Sequence, residues 1–355
     1  MNILKVFIIL HIFNKIFEFG VMLIYIENDN TDAAFHFSVE EFLMRRFQSE
    51  PVMMLWQSDK CVMLGTYQIP FAEVNLNNAE QAGIQIIRRS SGGGAIFADM
   101  GTFLYTMIQP HKNGYQVQKI ARETIGGCVV NALKKMGVPA VLHGRNDILA
   151  NGSKISGIAQ QIRYGSLCTH GSILYDTDLE LLARVLLVDG DKIKSKGIRS
   201  VRSRVKNIKE YINLPARDFK RLLKEYLLDG ISWKEYILSE KELAEVQQIY
   251  LEKYGNTCWN FSKSPPFSFS RSKRFIGGKM EVFFDIAKDI VTSCTIRGDF
   301  LGTVPIRILE EKLENTSFQY QAFKKVLNEI EFHSYLGDIT KDEFLSCIFD
   351  QTAVD

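Results

Sequence analysis

The most constraining feature of the chain is the segment 88–95, which reads RRSSGGGA and combines two arginines, two serines and three consecutive glycines. It follows the apolar run Ile84–Ile87, which we interpret as a buried strand, and it precedes a second strand pattern at Phe103–Ile108. Glycines let backbone N–H groups approach a ligand closely, and arginines offer planar sets of donors to phosphate or carboxylate. The segment therefore predicts a loop that binds an activated acyl or phosphate group, although a glycine-rich hairpin turn with solvated arginines fits the same letters.

A second informative segment, at 144–159, reads GRNDILANGSKISGIA. Its Asn151-Gly152 pair lies between two short alternating runs, which is the sequence signature of a hairpin with a type I′ turn. Such a hairpin places Asp147 and Lys154 on paired strands. Gly157 and Ala159 follow on the second strand, and their small size leaves room for a ligand or for a close backbone.

Five motifs occur in order along the chain, and together they resemble the lipoate–protein ligases of the biotin/lipoate ligase superfamily. They are RRSSGGGA at 88–95, the GRNDI and SKISGIA strands within 144–159, THGSIL at 169–174, KGIRSVRSRV at 196–205, and Trp259–Phe261 followed by Pro265–Phe267. The resemblance extends from about Met22 to about residue 330. It implies an α/β (α+β) fold in which a large catalytic domain, with a mixed β-sheet and flanking helices, precedes a small α/β accessory domain.

The resemblance also implies an ATP-dependent acyl transfer in two steps, with Mg²⁺ as the metal. The lipoate carboxylate attacks the α-phosphate of ATP to give lipoyl-AMP and pyrophosphate. A lysine on an acceptor protein then attacks the mixed anhydride and releases AMP. The acceptors implied are lipoyl domains of 2-oxoacid dehydrogenase subunits, the glycine-cleavage H protein, or both.

Lys154 is the residue that the resemblance implies to be catalytic, because the matching lysine contacts both the acyl carbonyl and the phosphate. A point charge on a flexible stem can follow the oxygens through both steps. The residues implied to bind ATP or lipoyl-AMP are Arg88, Arg89, Ser91, Gly92, Gly93, Gly94, Ala95, Ile96, Asn146, Asp147, Lys154, Gly157, Ala159, His170, Lys196 and Gly197.

Several of these assignments carry alternatives. The ATP contact of the family falls on the Arg88 position, but strand alternation alone does not decide which of the two arginines faces the ligand. Asp147 is the candidate Mg²⁺ ligand, or a turn-capping residue. His170 is a structural hydrogen-bonding residue or an acid or base. Lys196 and Gly197 lie in a basic stretch, 192–209, which has eight Lys or Arg and no acid and which the resemblance implies to be a mobile loop over the adenylate.

The composition is that of an ordinary globular protein, with 46% hydrophobic and 24% charged residues, and 355 residues suffice for two domains. A net charge of +2 argues against a generic nucleic-acid binder. The six cysteines form no CxxC pair, so neither a disulfide framework nor a zinc pattern is indicated, and a reducing cytoplasm fits. We expect a cytoplasmic monomer without stable membrane association.

The predicted domain organisation has four parts. Residues 1–21 are an apolar extension, which we interpret as an upstream segment from a misassigned start, with a membrane tether as the alternative. Residues 22–260 form the catalytic domain, 261–270 a linker rich in Ser, Pro and Lys, and 271–355 the accessory domain.

Capping residues and apolar periodicity predict the secondary structure. Helices are predicted at 38–47, 117–136, 178–188, 215–228 and 239–254, with helical patterns at about 305–315 and 320–330. Ser38 and Ser239 each open a capping-box spacing. Strands are predicted at 23–26, 52–56, 61–64, 279–286 and 290–297, with 52–56 and 61–64 joined as a hairpin.

Two other functions remain open at this stage. The first is an ATP-independent octanoyl or lipoyl transferase, which would use a cysteine nucleophile, and Cys128 and Cys168 are the cysteines near the motifs. The second is a non-catalytic ligand-binding protein on the same fold. Many relatives have His where this chain has Ala98 and Asn where it has Thr102, and these departures bear on the choice of acyl donor and acceptor.

Overall fold

The computed structural model describes residues 22–68, 70–111, 115–187, 204–261, 269–287 and 290–349. The apolar extension 1–21 and the candidate binding residues Lys196 and Gly197 lie outside these ranges. The predicted α/β architecture, with one large mixed sheet, flanking helices and a second small domain, is confirmed. Among the described residues, none of the helices combines the length and the apolar character that a membrane span requires.

An eight-stranded mixed sheet forms the centre of the first domain. In spatial order its strands are β11 (Trp233–Glu235), β1 (Leu23–Ile26), β2 (Val52–Trp56), β6 (Thr102–Pro110), β10 (Ser166–Leu174), β9 (Ser153–Arg163), β8 (Asp147–Ala150) and β7 (Ala140–His143). Strand β1 pairs in parallel with β11 and β2, whereas the remaining pairs are antiparallel. Both faces are buried, which explains the continuous apolar runs in β1 and β2.

A separate three-stranded sheet carries the glycine-rich loop. It consists of β4 (Gln85–Arg88), β3 (Cys61–Leu64) and β5 (Ile96–Ala98), with β3 in the middle. The predicted hairpin between 52–56 and 61–64 is therefore wrong, because β2 and β3 belong to different sheets. Both strands are apolar at every position and buried, so no alternation specified a register between them.

Helices cover both faces of the large sheet. They are α1 (Ala33–Arg46), α2 (Pro70–Glu73), α3 (Leu76–Gln81), α4 (Tyr115–Lys135), α5 (Leu179–Val185), α6 (Ala216–Leu228), α7 (Glu240–Ile249) and α8 (Thr257–Asn260), with a 3₁₀ turn at Ile208–Glu210 and a π-helical turn at Tyr250–Tyr254. Helices α4 and α6 pack on one face, and α1 and α7 pack on the other.

The start of α1 corrects a prediction. The helix begins at Ala33 rather than at the capping-box spacing of Ser38, and Asp32 is its N-cap, accepting a hydrogen bond from the Ala34 amide. Ser38 lies within the helix and donates to the Ala34 carbonyl at 2.7 Å. Glu41, which lies three residues after Ser38, is buried together with its neighbour Glu40 instead of capping the helix. The second predicted capping box, at Ser239 and Glu242, is confirmed.

The second domain has its own apolar core. An antiparallel sheet of β12 (Phe269–Phe275), β13 (Gly278–Ala287) and β14 (Ile290–Gly298) is covered by α9 (Arg307–Leu313), α10 (Tyr320–Asn328), α11 (His333–Leu336) and α12 (Lys341–Phe349). Strand β12 was not predicted, because its Ser, Lys and Arg residues continue the composition of the linker. It begins at Phe269, within the stretch expected to be linker.

Candidate active site at the glycine-rich loop

A cleft between the glycine-rich loop, β9 and β10 brings most of the predicted site residues together. It encloses about 580 Å³ of space, counted together with its open mouth. The predicted residues that line it are Arg89, Gly93, Gly94, Ala95, Ile96, Asn146, Lys154, Gly157, Ala159 and His170. Arg88, Ser91, Gly92 and Asp147 do not line it.

Sequence reasoning missed the apolar part of the lining. Phe37 on α1, Trp56 on β2, Met63 on β3 and Leu104 on β6 all contribute to the cleft. Each lies in an apolar stretch that reads as ordinary core, so no local signal marks it as a ligand contact. Ala98 and Thr102, the two residues that differ from those of many relatives, are buried, and neither lines the cleft.

Lys154 lies on β9, at the edge of the cleft. Its Nζ is 2.7 Å from Asp147 Oδ1, and both side chains are 33% exposed. The turn between their strands has φ values of 48° at Asn151 and 82° at Gly152, which confirms the predicted type I′ geometry. A Cβ atom on Gly157 would lie 3.1 Å from Lys154 Nζ, so the glycine provides space for the amine.

The backbone of Lys154 forms hydrogen bonds with residues 204–206, at the end of the basic stretch. Its amide donates to the Arg204 carbonyl at 2.8 Å, and its carbonyl accepts from the Lys206 amide at 3.0 Å. The last residues of the basic stretch therefore run beside the strand that carries the candidate catalytic amine. This contact fixes the backbone position of Lys154 without occupying its side chain.

The two arginines occupy different environments. Arg88 Nε and Nη2 donate to the carbonyls of Trp259 and Asn260, both at 3.0 Å. Its Nη1 donates to three more carbonyls, those of Gly65, Thr66 and Gln68. Burial lowers the pKa of Arg88 to about 10. In this arrangement Arg88 joins its own strand to two other backbone segments, 65–68 and 259–260, and it does not line the cleft.

Arg89 faces the cleft and holds the loop from within. Its guanidinium donates to the carbonyls of Met63, Gly92 and Gly94, each at 2.8 Å. Burial lowers the pKa of Arg89 to about 10 as well. The loop therefore curls around a buried cation, and the charge of this cation would attract an anion bound in the cleft.

Two of the three glycines, Gly92 and Gly93, are required by backbone conformation or close packing. Gly93 has φ of 93°, in the left-handed region that glycine favours. A Cβ on Gly92 would lie 2.4 Å from the Phe300 carbonyl oxygen, and the Gly93 amide donates to that oxygen at 3.0 Å. The second domain thus contacts the loop directly, and the ring of Phe300 stacks on Tyr67 at 4.8 Å.

His170 is buried at the wall of the cleft. Its Nε2 lies 2.7 Å from Ser91 Oγ, and its Nδ1 lies 3.0 Å from both carboxylate oxygens of Glu40. Within the described residues, Glu40, Cys168 and His170 are the one group of three potential metal ligands found close together, and all are buried. Asp147, the predicted Mg²⁺ ligand, is not part of that group.

The cysteines near the site are poor nucleophiles. Cys168 is fully buried, and burial raises the pKa of its thiol well above the ordinary value. Burial raises the pKa of Cys128 to about 12. Neither thiol lines the cleft. Because a thiolate rather than a thiol attacks an acyl group, this environment disfavours a cysteine-based transfer.

Comparisons with known proteins agree with the geometry. The chain matches the Lipoyl protein ligase A/B catalytic domain over residues 32–228 and the Bacterial lipoate protein ligase C-terminus over residues 264–348. It is 32% identical over 334 residues to "Lipoate-protein ligase LplJ" of Bacillus subtilis, covering 92% of this chain and 100% of that protein. It is 35% identical over 322 residues to "Probable lipoate-protein ligase A" of Mycoplasma pneumoniae, covering 89% and 94%.

Solved structures show the same architecture. LipL1 of P. falciparum in complex with lipoate superposes with a TM-score of 0.71 at 22% identity, covering 92% of this chain and 97% of that one. A lipoate-protein ligase A bound with ATP superposes with a TM-score of 0.59 at 25% identity, covering 68% and 98%. The chain therefore belongs to the lipoate–protein ligase family, as a ligase that has both the catalytic and the C-terminal domain.

Proposed function

We propose that this protein activates lipoate with ATP and that Lys154 neutralises the charge that develops on the acyl and phosphate oxygens. One observation supports this most strongly: the Lys154 amine, Asn146 and the Gly93–Gly94 backbone all border a single cleft with apolar walls. Apolar walls suit the acyl chain, and the polar groups suit the adenylate. Preorganised donors of this kind are typically the largest contribution to catalysis of acyl transfer.

The chemistry needs no general base for the first step, because the lipoate carboxylate is already ionised. The Lys154 amine forms an ion pair with Asp147 at 2.7 Å. We propose that phosphate oxygens replace Asp147 as the partner of this amine. The released carboxylate would then be available to Mg²⁺, which usually takes one or two carboxylates together with phosphate oxygens and water.

The acceptor is proposed to be a lipoyl domain or the glycine-cleavage H protein. Support comes from a solved structure of a bi-partite lipoate protein ligase and its E2 lipoyl domain from Thermoplasma acidophilum. That chain is 25% identical to this one, with a TM-score of 0.62. We also propose a cytoplasmic monomer, and the six free cysteines fit a reducing compartment.

Lipoate-dependent exchange between ATP and pyrophosphate tests the first step. A ligase gives exchange with no acceptor present, whereas a thiol transferase and a non-catalytic binding protein give none. Incubation with ATP, Mg²⁺, lipoate and a panel of acceptor domains then tests the second step by a mass increase on the acceptor. Exchange without any mass increase would reject the proposed acceptors and keep the adenylation.

A further inference from the structure

Two adjacent glutamates on α1 are connected to two adjacent serines of the glycine-rich loop. We propose that the chains Glu40–His170–Ser91 and Glu41–Tyr254–Ser90 position the loop for formation of the adenylate. Glu40, Glu41 and Tyr254 do not line the cleft, so they would act as positioning residues rather than as contacts of the substrate. The inference rests on the adenylation chemistry proposed above.

The first chain has a defined direction. Arg89 Nε donates to Ser91 Oγ at 3.0 Å, so the hydroxyl proton of Ser91 is free to be donated to His170 Nε2 at 2.7 Å. The ring proton then lies on Nδ1 and is donated to Glu40. Thr106 Oγ1 donates to Glu40 at 2.5 Å, which adds a second donor to this buried carboxylate.

The second chain is directional as well. Tyr254 Oη donates to Glu41 Oε2 at 2.9 Å, and it lies 2.7 Å from Ser90 Oγ. Because the tyrosine has only one proton, Ser90 must donate its own proton to the phenol oxygen. Tyr254 ends the π-helical turn at Tyr250–Tyr254, a type of turn that often occurs at functional sites.

Glu41 is a fixed anion. Burial alone would raise its pKa, but the charge of Lys253 and hydrogen bonds from Lys253, Tyr164 and Tyr254 lower it to about 2. The Lys253 amine is 2.6 Å from Glu41 Oε2, and Arg45 pairs with the other oxygen. The second chain therefore ends on a charge that stays in place at every physiological pH.

The hydrogen bonds of Ser90 and Ser91, which we call the two anchors of the loop, matter because the three residues that follow them are glycines. Gly92, Gly93 and Gly94 have no side chains to hold them, so their position depends on their backbone hydrogen bonds with Arg89 and Phe300 and on the residues that flank them. Ser90 and Ser91 immediately precede them, and each donates its proton away from the loop into the interior. Loss of one anchor should displace the loop N–H groups, and a displacement of about 1 Å can cost ~10²-fold in rate.

The effect should appear in turnover more than in lipoate binding. The apolar walls of the cleft are made by Phe37, Trp56, Met63 and Leu104. The Phe37 ring packs beside the rings of Tyr254 and His170, with centroids 5.8 and 6.1 Å away, and removal of the Tyr254 hydroxyl leaves these ring contacts in place. A displaced loop would stabilise the developing charge less well while the acyl chain still binds. We therefore expect kcat for exchange to fall and the KM for lipoate to change little.

Tyr254→Phe is the test variant, and Tyr236→Phe is its matched control. Tyr236 Oη donates to Glu242 Oε1 at 2.8 Å, so the control also removes one Tyr–Glu hydrogen bond, but at the other end of α7. We expect Y254F to lower kcat for lipoate-dependent exchange by about tenfold with KM within about threefold, consistent with loss of one positioning contact. Y236F should keep kcat within about twofold of the wild type.

The double variant S90A/Y254F shows whether Tyr254 acts through Ser90. If it does, the double variant should be no slower than the slower single variant, because both remove the same contact. Additive losses, a Y254F enzyme with unchanged kcat, or equal losses in Y254F and Y236F would each overturn the proposal. Should Y254F fail to fold, S90A removes the same hydrogen bond from the loop side and should show the same fall in kcat.

The first chain has its own test in Glu40→Ala. Alanine offers no acceptor for the proton on Nδ1 of His170, so the ring loses the partner that orients it towards Ser91. We expect E40A to lower kcat by about tenfold with little change in KM, and an unchanged kcat would reject this chain. If the wild-type protein itself showed no exchange, the proposed adenylation would be rejected. Failure of the proposed function is therefore distinguishable from failure of the positioning proposal.

Discussion

Lys154 Nζ lies 2.7 Å from Asp147 Oδ1, across the hairpin that joins their strands. Each side chain is one third exposed, and of the two only Lys154 lines the cleft. An exposed pair of this kind contributes little to stability, typically ~0–1 kcal/mol. The ion pair therefore matters more for where it places the Lys154 amine than for the stability of the fold.

Lys154→Ala should lower the rate of lipoate-dependent exchange by ~10²–10³, the usual cost of losing one donor to a developing oxyanion. Thermal unfolding should change little, because the ion pair is partly solvated. Lys135→Ala is the matched control, since Lys135 forms an exposed ion pair with Asp229 away from the cleft. Exchange near the wild-type rate in K154A would reject the catalytic assignment.

Replacement of Gly93 should be far more harmful than replacement of Gly94. A Cβ on Gly93 would lie 3.0 Å from Arg89 Nη2 and 3.1 Å from Leu301 Cδ2, at a φ of +93° that other residues rarely adopt. A Cβ on Gly94 would meet nothing closer than Asp299 Cβ at 4.0 Å. We expect Gly93→Val to abolish exchange and to weaken lipoate binding measured by calorimetry. Gly94→Ala should retain a folded protein, and equal effects of both changes on melting temperature would contradict this account.

Arg88 should matter for stability. Its side chain donates to five backbone carbonyls in two segments, 65–68 and 259–260, and Ala would leave these acceptors without this donor. We expect Arg88→Ala to lower the free energy of unfolding by at least ~2 kcal/mol in urea titrations. Arg88→Lys should not restore it, because an ammonium cannot reproduce the planar set of donors. Arg217→Ala is the control, because Arg217 is exposed and its replacement should change the free energy of unfolding little. A change in R88A as small as that in R217A would show that the five carbonyls find other donors.

Local sequence patterns were sufficient for much of the site. The type I′ turn at Asn151-Gly152 and the glycine-rich loop are specified by residues that lie next to each other, so their geometry follows from short-range chemistry. The family resemblance supplied the order of domains and the role expected of Lys154. Elements with strong capping residues, such as the helix that begins after Ser239, were also predictable.

Contacts between distant segments could not be predicted in the same way. Glu41 fits the capping-box spacing that begins at Ser38, whereas in the structure Glu40 and Glu41 are buried beside His170 and Tyr254, which lie 130 and 213 residues further along the chain. The different environments of Arg88 and Arg89 likewise depend on carbonyls from other segments, which no local pattern encodes. Strand β12 was hidden by polar residues that suit an exposed edge strand as well as a linker.

Glu41 predicts a specific dependence of stability on acid. Its pKa is about 2 in the folded protein and near 4.5 in the unfolded chain, so the unfolded chain binds the proton more tightly. The stabilisation is therefore complete above pH 4.5 and is lost as pH falls from 4.5 towards 2, and it amounts to a few kcal/mol, on the order of 3. Glu41→Gln should be less stable than the wild type at pH 7 by a similar amount, and the difference should shrink steadily as the pH is lowered below 4.5. Urea unfolding at several pH values measures it, with Glu225→Gln as a control, because Glu225 is an exposed carboxylate on α6. A difference between E41Q and wild type that stays constant from pH 7 to pH 3 would show that Glu41 is not held as an anion by Lys253 and Tyr254.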